Sequence, residues 1–599
     1  MENTVGCKNY LDENSPGYVV EYRGNFKDEI DKVDYACGDI ITENLAVVSV
    51  SEKNLDRLRN DVPSIAFVET RGIYVLQDIP PVNIDSIYNI KINPYLNLTG
   101  KGVTIGIIDT GIDYLNKEFI REDGTSRIIK IWDQTVTKNT KGNVYIGSEY
   151  SNDDINRAIA NSKKGLDPYE IVPSKDEVGH GTSMAGIIGA RGYNPDIEGV
   201  ANDCEFIIVK LLPSPNYQKI LRENNLPIIP AYNSSEVLSS IEYLRRSAYK
   251  LRRPIILYLG VGSYNGSHDG YNITSRFITS IARKRDIVFV NGTGNAGNDE
   301  GHATNFISNN GEIKTTELLM AKEMKIFTLH VWIQRPNKMA LNIIAPSGEE
   351  SGFINPNIKS KDNRAFYLIN TKVEIICYDP ESYTGHQVFI LNFTDIKPGI
   401  WMIKMRGQYI ANGRYDIWLP DKHLLPNGTK FLNSNPDNTL TIPSMAKNLI
   451  TVSYYDGTNN SLVSSSGRGF NTNGLINPDI ATEGINILTI SAGSDKVTKV
   501  SGSSAATAIV VGVCALLIQW AISDGNDLSM YSIKLRSLLI YAADRDSMYE
   551  YPNESLGYGK LNLQEIFKIL GGNYRINNDI EYLIGNLFVR IPNDIINNE

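Results

Sequence analysis

Two kinds of apolar segment stand out along the chain. Residues 103–108 (VTIGII) form a short run rich in β-branched residues, which predicts a buried strand of a parallel sheet. Residues 505–522 carry no formal charge over 18 positions and predict a helix that is apolar on all sides. That length approaches a membrane span, but Thr507 and Gln519 interrupt it and no basic cluster flanks it, which favours the central helix of a large α/β core.

The first part of the chain has a pattern of its own. EYRG, AVVSVS, SIAFVET and GIYVLQD have the apolar and β-branched content of strands, and SEKNLDRLRND, between the second and the third, is typical of a polar helix. We therefore expect a small α+β module over residues 1–77.

A third pattern lies in the middle of the chain. Residues 313–426 contain regularly spaced alternating runs, among them KIFTLHVWIQ, VEIICYDP and GIWMIKMRG, with Gly, Pro and Asn between them. Short strands at such spacing predict a β-sandwich, jelly-roll-like, inserted over residues 306–435. Residues 78–305 and 436–599 would then form one α/β domain in two parts.

Three strings far apart in the chain supply a candidate acid, base and nucleophile. Asp109 follows the predicted strand in IIDTGID, at the carboxyl end where open α/β sheets place their sites. His180 lies between two glycines in GHGTSMAG, which let backbone and substrate approach its ring. Ser504 follows Gly502 in SGSSAAT at the start of the long helix, whose free N–H groups favour an oxyanion.

Each string alone is weak evidence, but their order in the chain is informative. Acid, base and nucleophile follow one another as they do in subtilisin, so the sequence resembles the subtilisin-like serine proteases, peptidase family S8. The resemblance implies a catalytic triad of Asp109, His180 and Ser504. The chain departs from the family pattern just after the serine, where SAATA lacks the usual Met and Pro, and the first helical turn loses a preset φ.

The resemblance implies further site residues. FVNGTGNAGN is similar to the family's oxyanion-hole segment, so the Asn295 side chain would donate to the oxyanion beside the Ser504 N–H. PIILYLGVGS is similar to the strand that lines the cleft, where Leu259 and Gly260 would pair with the substrate backbone and wall the specificity pocket. His268 has no matching partners in the sequence and is expected to form hydrogen bonds within a loop.

The fold that the resemblance implies is α/β: a subtilisin-like parallel sheet with helices on both faces. Residues 1–77 would be a propeptide, an intramolecular chaperone whose last strand lies in the cleft as the first substrate. We expect self-cleavage between Gln77 and Asp78, because Pro80 and Pro81 begin a segment just beyond that cannot continue a sheet.

Propeptide, inserted sandwich and the string LGVGSYNGSHDG together resemble one subgroup, the clostridial Csp spore-germination proteases. The subgroup implies that the protein cuts the pro-form of a spore cortex hydrolase during germination and keeps its own propeptide bound in the cleft. It also implies related pseudoprotease regulators as partners, and a place in the cortex or coat region of the spore after synthesis in the mother cell. Two other functions stay open: a germinant-responsive pseudoprotease that acts by binding, and an intracellular degradative protease.

Composition narrows these possibilities. The 599 residues, 42% of them hydrophobic, suffice for two or more domains, and a formal net charge of −9 offers no basic surface for nucleic acid. The N-terminus lacks the apolar core of a secretory signal, and the five scattered cysteines are expected to be free thiols. Because no run of carboxylates matches a calcium loop, we expect neither a metal nor a cofactor.

Overall fold

A computed structural model describes residues 8–69, 72–77, 98–137, 141–357 and 359–574. Their strands form six sheets, which build an N-terminal α+β module, a large α/β unit and an inserted pair of antiparallel sheets.

A nine-stranded, mainly parallel sheet forms the centre of the α/β unit. From one edge to the other its strands are Ser461–Leu462, Ile450–Asp456, Ile287–Gly292, Ile255–Leu259, Thr104–Asp109, Glu205–Lys210, Ile128–Asp133 and Ser148–Ser151, and Ile480–Glu483 also pairs with Ile450–Asp456. The predicted strand Thr104–Asp109 lies inside this sheet with all six residues buried, and Asp109 ends it.

Helices cover both faces of the sheet, as expected. His180–Gly189 and Ser503–Ile518 contribute to the apolar core on one face, and Ser234–Leu251 and Ile273–Ile281 to the core on the other. The other helices of the unit are Asn152–Lys163, Pro215–Glu223, Ser532–Tyr541 and Leu563–Tyr574, and Ile487–Ile490 pairs with Val497–Val500 in a two-stranded sheet.

The apolar helix that carries Ser504 lies in the protein core. Among the described residues, Ser503–Ser523 is the one helical segment long and apolar enough to cross a membrane. In its most apolar stretch of 18 residues, 89% is buried inside the protein. The segment is therefore a central core helix, as the presence of Thr507 and Gln519 favours.

The N-terminal module is an antiparallel sheet with two helices. Its strands, in spatial order, are Ala36–Ile40, Leu45–Val50, Gly17–Tyr22 and Ile65–Val68, and its helices are Phe26–Ile30 and Leu55–Asp61. The sequence does not predict the strand Ala36–Ile40 (ACGDI) or the helix Phe26–Ile30 (FKDEI), because both are short and mixed in polarity. GIYVLQD does form a strand, Ile73–Leu76, but in a different sheet.

One cysteine expectation is wrong. Cys37 is disulfide-bonded, whereas Cys204, Cys377 and Cys514 are free and buried. Spacing along the chain does not report which thiols meet in the folded protein. Cys7 lies outside the described residues.

The inserted region is a β-sandwich of two antiparallel sheets, which explains the alternating pattern. One sheet contains His302–Phe306, Arg414–Trp418, Met324–Ile333, Gln387–Ile396, Thr371–Tyr378 and Lys359–Phe366, and the other Lys338–Ile344, Gly399–Tyr409, Ile313–Met320 and Lys430–Phe431. Inward-facing residues of both sheets share one apolar core, for example Leu329, Phe393 and Ile403.

Candidate active site

Asp109 and His180 meet at the carboxyl edge of the central sheet. His180 Nδ1 lies 2.8 Å from each carboxylate oxygen of Asp109, and the Thr110 backbone N–H donates to Asp109 Oδ1 at 2.6 Å. Asp109 is fully buried and His180 is 5% exposed. Because a carboxylate only accepts hydrogen bonds, this contact keeps a proton on Nδ1 and makes Nε2 the basic nitrogen.

Glycines allow this close packing. A β-carbon on Gly260 would lie 1.8 Å from Asp109 Oδ2, and one on Gly181 would lie 2.2 Å from the Gly111 carbonyl oxygen. No side chain fits at either position, so these glycines are required for the approach of strand, loop and helix.

Asp176 holds the start of the His180 helix and was not predicted from the sequence. Its carboxylate accepts from the Gly179 N–H at 2.8 Å, the Thr182 N–H at 2.8 Å, and the hydroxyls of Thr182 and Thr110, both at 2.7 Å. An acidic residue just ahead of a helix is a capping signal, and that signal could have found it.

Ser504 lies in the first turn of the helix Ser503–Ile518. Gly502 is the N-cap of this helix, and its φ of 118° is one that glycine adopts readily. Ser504 is 2% exposed, and its Oγ has no hydrogen-bond partner among the described residues. Its backbone N–H donates to the Gln77 carbonyl oxygen at 3.1 Å.

Asn295 lies beside this helix start. Its Oδ1 accepts a hydrogen bond from the Ser503 N–H at 3.0 Å, while its Nδ2 is buried and has no partner in the described part of the chain. The Ser503 hydroxyl in turn accepts from the Gly294 N–H at 3.0 Å. The loop therefore presents an unused amide donor next to Ser504.

The last strand of the N-terminal module lies in the cleft. Ile73–Leu76 pairs antiparallel with Ala231–Asn233 on one side and with Val261–Gly262 on the other. Gln77 continues this strand, and its N–H donates to the Gly260 carbonyl at 3.3 Å. The strand thus lies as an extended peptide between two segments of the α/β unit, paired with both through its backbone.

Of the two residues expected to line the cleft, Gly260 contacts the strand that lies there and Leu259 belongs to the central sheet. Gly260 contacts Gln77, but Leu259 pairs with Ile108 in the central sheet, and Val261 and Gly262 make the strand pairs instead. Asp78 lies outside the described residues.

A polar pocket holds the Gln77 side chain. Its Nε2 donates to the Thr441 hydroxyl at 2.9 Å, and a β-carbon on Gly262 would lie 2.0 Å from that nitrogen. The Thr441 hydroxyl lies 3.2 Å from the Gly292 carbonyl oxygen. Thr441 is 364 positions from Gln77, so no local pattern could have indicated it.

In the ranges that the structure describes, no group of three or more His, Cys, Asp or Glu side chains is placed so that it could hold a metal ion. Asp154, in the acidic string Asn152-Asp153-Asp154, forms a capping box with Ser151 at the start of a helix.

Comparison with known families gives this geometry its context. The model of the Subtilase family matches residues 100–310 and 424–559, which include Asp109, His180 and Ser504. The chain belongs to the subtilase family. This subtilase is a serine protease by family, and the gap in the match coincides with most of the inserted sandwich.

One solved structure agrees with that assignment. The subtilase is similar to the Clostridium perfringens CspB protease, with 29% identity and a TM-score of 0.69 over 80% of this chain and 94% of that one. Two further solved structures match with a lower TM-score of 0.46 each. The epidermin leader peptide processing serine protease of Staphylococcus aureus is 14% identical over 93% of this chain and 99% of that one. Fervidolysin from Fervidobacterium pennivorans is 13% identical over 92% of this chain and 61% of that one. Among curated proteins, none matches this chain in sequence.

Proposed function

We propose that this subtilase is an endopeptidase with a triad of Asp109, His180 and Ser504, and that its first substrate is its own chain, cut after Gln77. One observation carries the proposal: the Ser504 N–H donates to the Gln77 carbonyl oxygen at 3.1 Å. A backbone donor at the nucleophile contacts the carbonyl oxygen of the bond to be cut, and it is also the donor for the resulting oxyanion.

The mechanism that we infer is acyl transfer. Ser504 Oγ attacks the Gln77 carbonyl carbon while His180 Nε2 takes the hydroxyl proton, and Asp109 stabilises the imidazolium. The Ser504 N–H and Asn295 Nδ2 donate to the negative oxygen. His180 then returns the proton to the leaving amine of Asp78 as the C–N bond breaks, and water hydrolyses the acyl-enzyme by the same route.

We further propose that the physiological substrate is the pro-form of a spore cortex hydrolase, cut during germination in the spore, with related pseudoproteases as regulators. The similarity to the CspB protease over most of both chains supports this assignment. So does the inserted sandwich, because its contact with the N-terminal module through Tyr383 suits limited activation better than general degradation.

We also propose that the propeptide stays bound after cleavage, since it contacts both other parts of the protein. The Phe67 and Tyr383 rings lie 4.3 Å apart edge to face, and the Tyr383 hydroxyl donates to Glu21 at 3.3 Å. Tyr383 belongs to the sandwich region. On the other side, Glu69 accepts a hydrogen bond from the Ser234 hydroxyl of the α/β unit at 2.7 Å.

The test is the intact mass and N-terminal sequence of the purified wild-type protein beside Ser504→Ala. We expect the wild type to split after Gln77 and the variant to stay whole. If both stay whole, the binding-regulator function replaces this proposal. If both split, the experiment is repeated in a cell-free translation system without host proteases, where a split variant would contradict the role of Ser504.

The polar pocket predicts a preference that two matched changes can test. Thr441→Val removes the hydroxyl that accepts from the Gln77 amide, and Gln77→Met removes that amide at nearly constant shape. Each change alone is expected to slow self-cleavage about tenfold, because one buried polar partner is left unsatisfied. The double variant should be faster than Thr441→Val alone. Thr439→Val, which removes a buried hydroxyl bonded to Pro436 instead, is the control.

Propeptide retention is expected to weaken as the pH rises from about 5 to about 8. Burial raises the pKa of Glu69 to about 8, the Glu381 carboxylate adds to the shift, and the bond from Ser234 opposes it. Because the bound-state pKa is raised, the stabilisation is complete below the ordinary pKa of Glu and is lost as the pH rises through about 8. The affinity of the cleaved fragment should fall by up to about tenfold per pH unit between pH 5 and 8.

Binding of the cleaved fragment to the core, measured by titration across this pH range, checks the expectation. Glu69→Gln, which cannot ionise, should bind with an affinity that no longer depends on pH there. An equally steep dependence in that variant would assign the effect to another group.

A further inference from the structure

Four aromatic rings form one stack between the candidate active site and the inserted sandwich. Tyr264 and His268 follow the cleft strand Val261–Gly262, whereas Trp418 and His302 lie on sandwich strands. Ring centroids are 6.4 Å apart for Tyr264 and His268, 4.0 Å for His268 and Trp418, and 4.8 Å for Trp418 and His302. The interplanar angles are 11°, 8° and 9°, so the rings are nearly parallel.

The sandwich end of the stack is held by hydrogen bonds. Trp418 and His302 are cross-strand partners, the Trp418 indole N–H donates to the Asn438 carbonyl at 2.9 Å, and His302 Nε2 lies 3.1 Å from Asp416 Oδ1. All four rings belong to buried residues. Burial also lowers the pKa of His268 to about 4, so this ring is uncharged at neutral pH.

The other end of the stack reaches the Asn295 loop. The Tyr264 hydroxyl lies against the backbone of this loop, next to Asn295. A β-carbon on Gly294 would lie only 2.7 Å from that hydroxyl oxygen, so the loop packs directly on it. His268 Nε2 lies 3.0 Å from the Tyr264 carbonyl oxygen, which joins these two residues through the backbone as well.

The stack adds to the hydrogen bonds that join the Asn295 loop to Ser503. Three of the eight residues in the loop's sequence, NGTGNAGN, are glycines, and glycine restricts the backbone least. A donor that stabilises an oxyanion acts well only when its position is held within about 0.5 Å, because a mobile donor loses its advantage over water.

We propose that Tyr264 and Trp418 are positioning residues for Asn295: the sandwich, through the aromatic stack and the Tyr264 hydroxyl, sets where the Asn295 side-chain amide lies. This inference rests on the proposed protease function and deepens it. It assigns the inserted sandwich a part in catalysis as well as in stability.

The first test is Tyr264→Phe, which keeps the stacked ring and removes only the hydroxyl. We expect self-cleavage to slow about tenfold, part of the 10²–10³-fold loss expected for Asn295→Ala. In an Asn295→Ala background, Tyr264→Phe should have no further effect, since it acts through that side chain. The affinity of the cleaved propeptide fragment, which reports ground-state binding, should not change in either variant.

The second test compares two tryptophans of the same sandwich. Trp401 is buried in the sandwich core, edge-on to Phe366 and Phe393, and its indole N–H also donates to a backbone carbonyl, that of Lys397, at 2.9 Å. Trp418→Leu and Trp401→Leu should both lower the melting temperature by several degrees, as large buried residues do. Only Trp418→Leu should also slow self-cleavage, by about tenfold, when both are assayed well below their melting temperatures.

Three results would overturn the inference while leaving the protease function intact: full activity of Tyr264→Phe, an equal slowing by Tyr264→Phe with and without Asn295, or equal slowing by the two tryptophan variants. A wild type that does not cut its chain would instead overturn both proposals. Slowing confined to Trp418→Leu and Tyr264→Phe, and abolished without Asn295, supports the inference.

Discussion

Ser504→Ala is expected to lower the rate of self-cleavage by about 10⁶, the loss typical of a triad nucleophile. The Ser504 Oγ is buried and has no hydrogen-bond partner among the described residues. Its removal therefore leaves no hydrogen-bonding group there without its partner. The Ser504 N–H can still donate to the Gln77 carbonyl, and the strand Ile73–Leu76 should keep its place beside it. Chemistry is therefore lost while the fold and ground-state binding are kept.

Time courses in cell-free translation, followed by mass spectrometry, measure this difference. A chain that the wild type converts within minutes should stay whole over a day in the variant. Asp109→Asn offers a graded comparison: it should cost about 10⁴, because an amide can donate to His180 Nδ1 and so favours the wrong tautomer. Asp133→Asn, a buried carboxylate at the end of another strand of the same sheet, is the control and should cut at nearly the wild-type rate.

Gly260→Ala should also have a large effect, a loss of at least about 10³ in self-cleavage. The added methyl would lie 1.8 Å from Asp109 Oδ2, so the carboxylate must leave His180 or the cleft strand must shift. In the first case the imidazole loses its orienting partner, and in the second the hydrogen bond from the Gln77 N–H to the Gly260 carbonyl is broken. A displacement of about 1 Å at reacting groups is enough for a large loss of rate.

The matched control for this steric prediction is Gly301→Ala, whose nearest contact would be Leu419 Cβ at 3.9 Å. That variant should process normally. Melting temperatures of both variants separate a local clash from unfolding, and a fully active Gly260→Ala would contradict the tight packing described for Asp109.

The sequence carries enough local information to predict the frame of the site. The β-branched run before Asp109 and the apolar helix begun by Ser504 each depend on neighbouring residues, and both elements occur where the pattern predicts them. Alternation with period two likewise predicts the strands of the inserted sandwich, because every second residue faces its core. Short mixed segments such as Phe26–Ile30 escape prediction because tertiary contacts outweigh their weak propensity.

The contacts that join these elements are decided by tertiary structure alone. Thr441 meets Gln77 across 364 positions, and the Tyr264 hydroxyl lies against the Asn295 loop at one end of a ring stack that continues to Trp418 of the sandwich. Asp109 and His180 could be named from their motifs, but their 2.8 Å contact depends on Gly260, which leaves room for the carboxylate beside the strand. Local patterns specify which groups are available, whereas the packing of distant segments specifies which of them touch, since hydrogen bonds and steric limits act over a few ångströms in space and not along the chain.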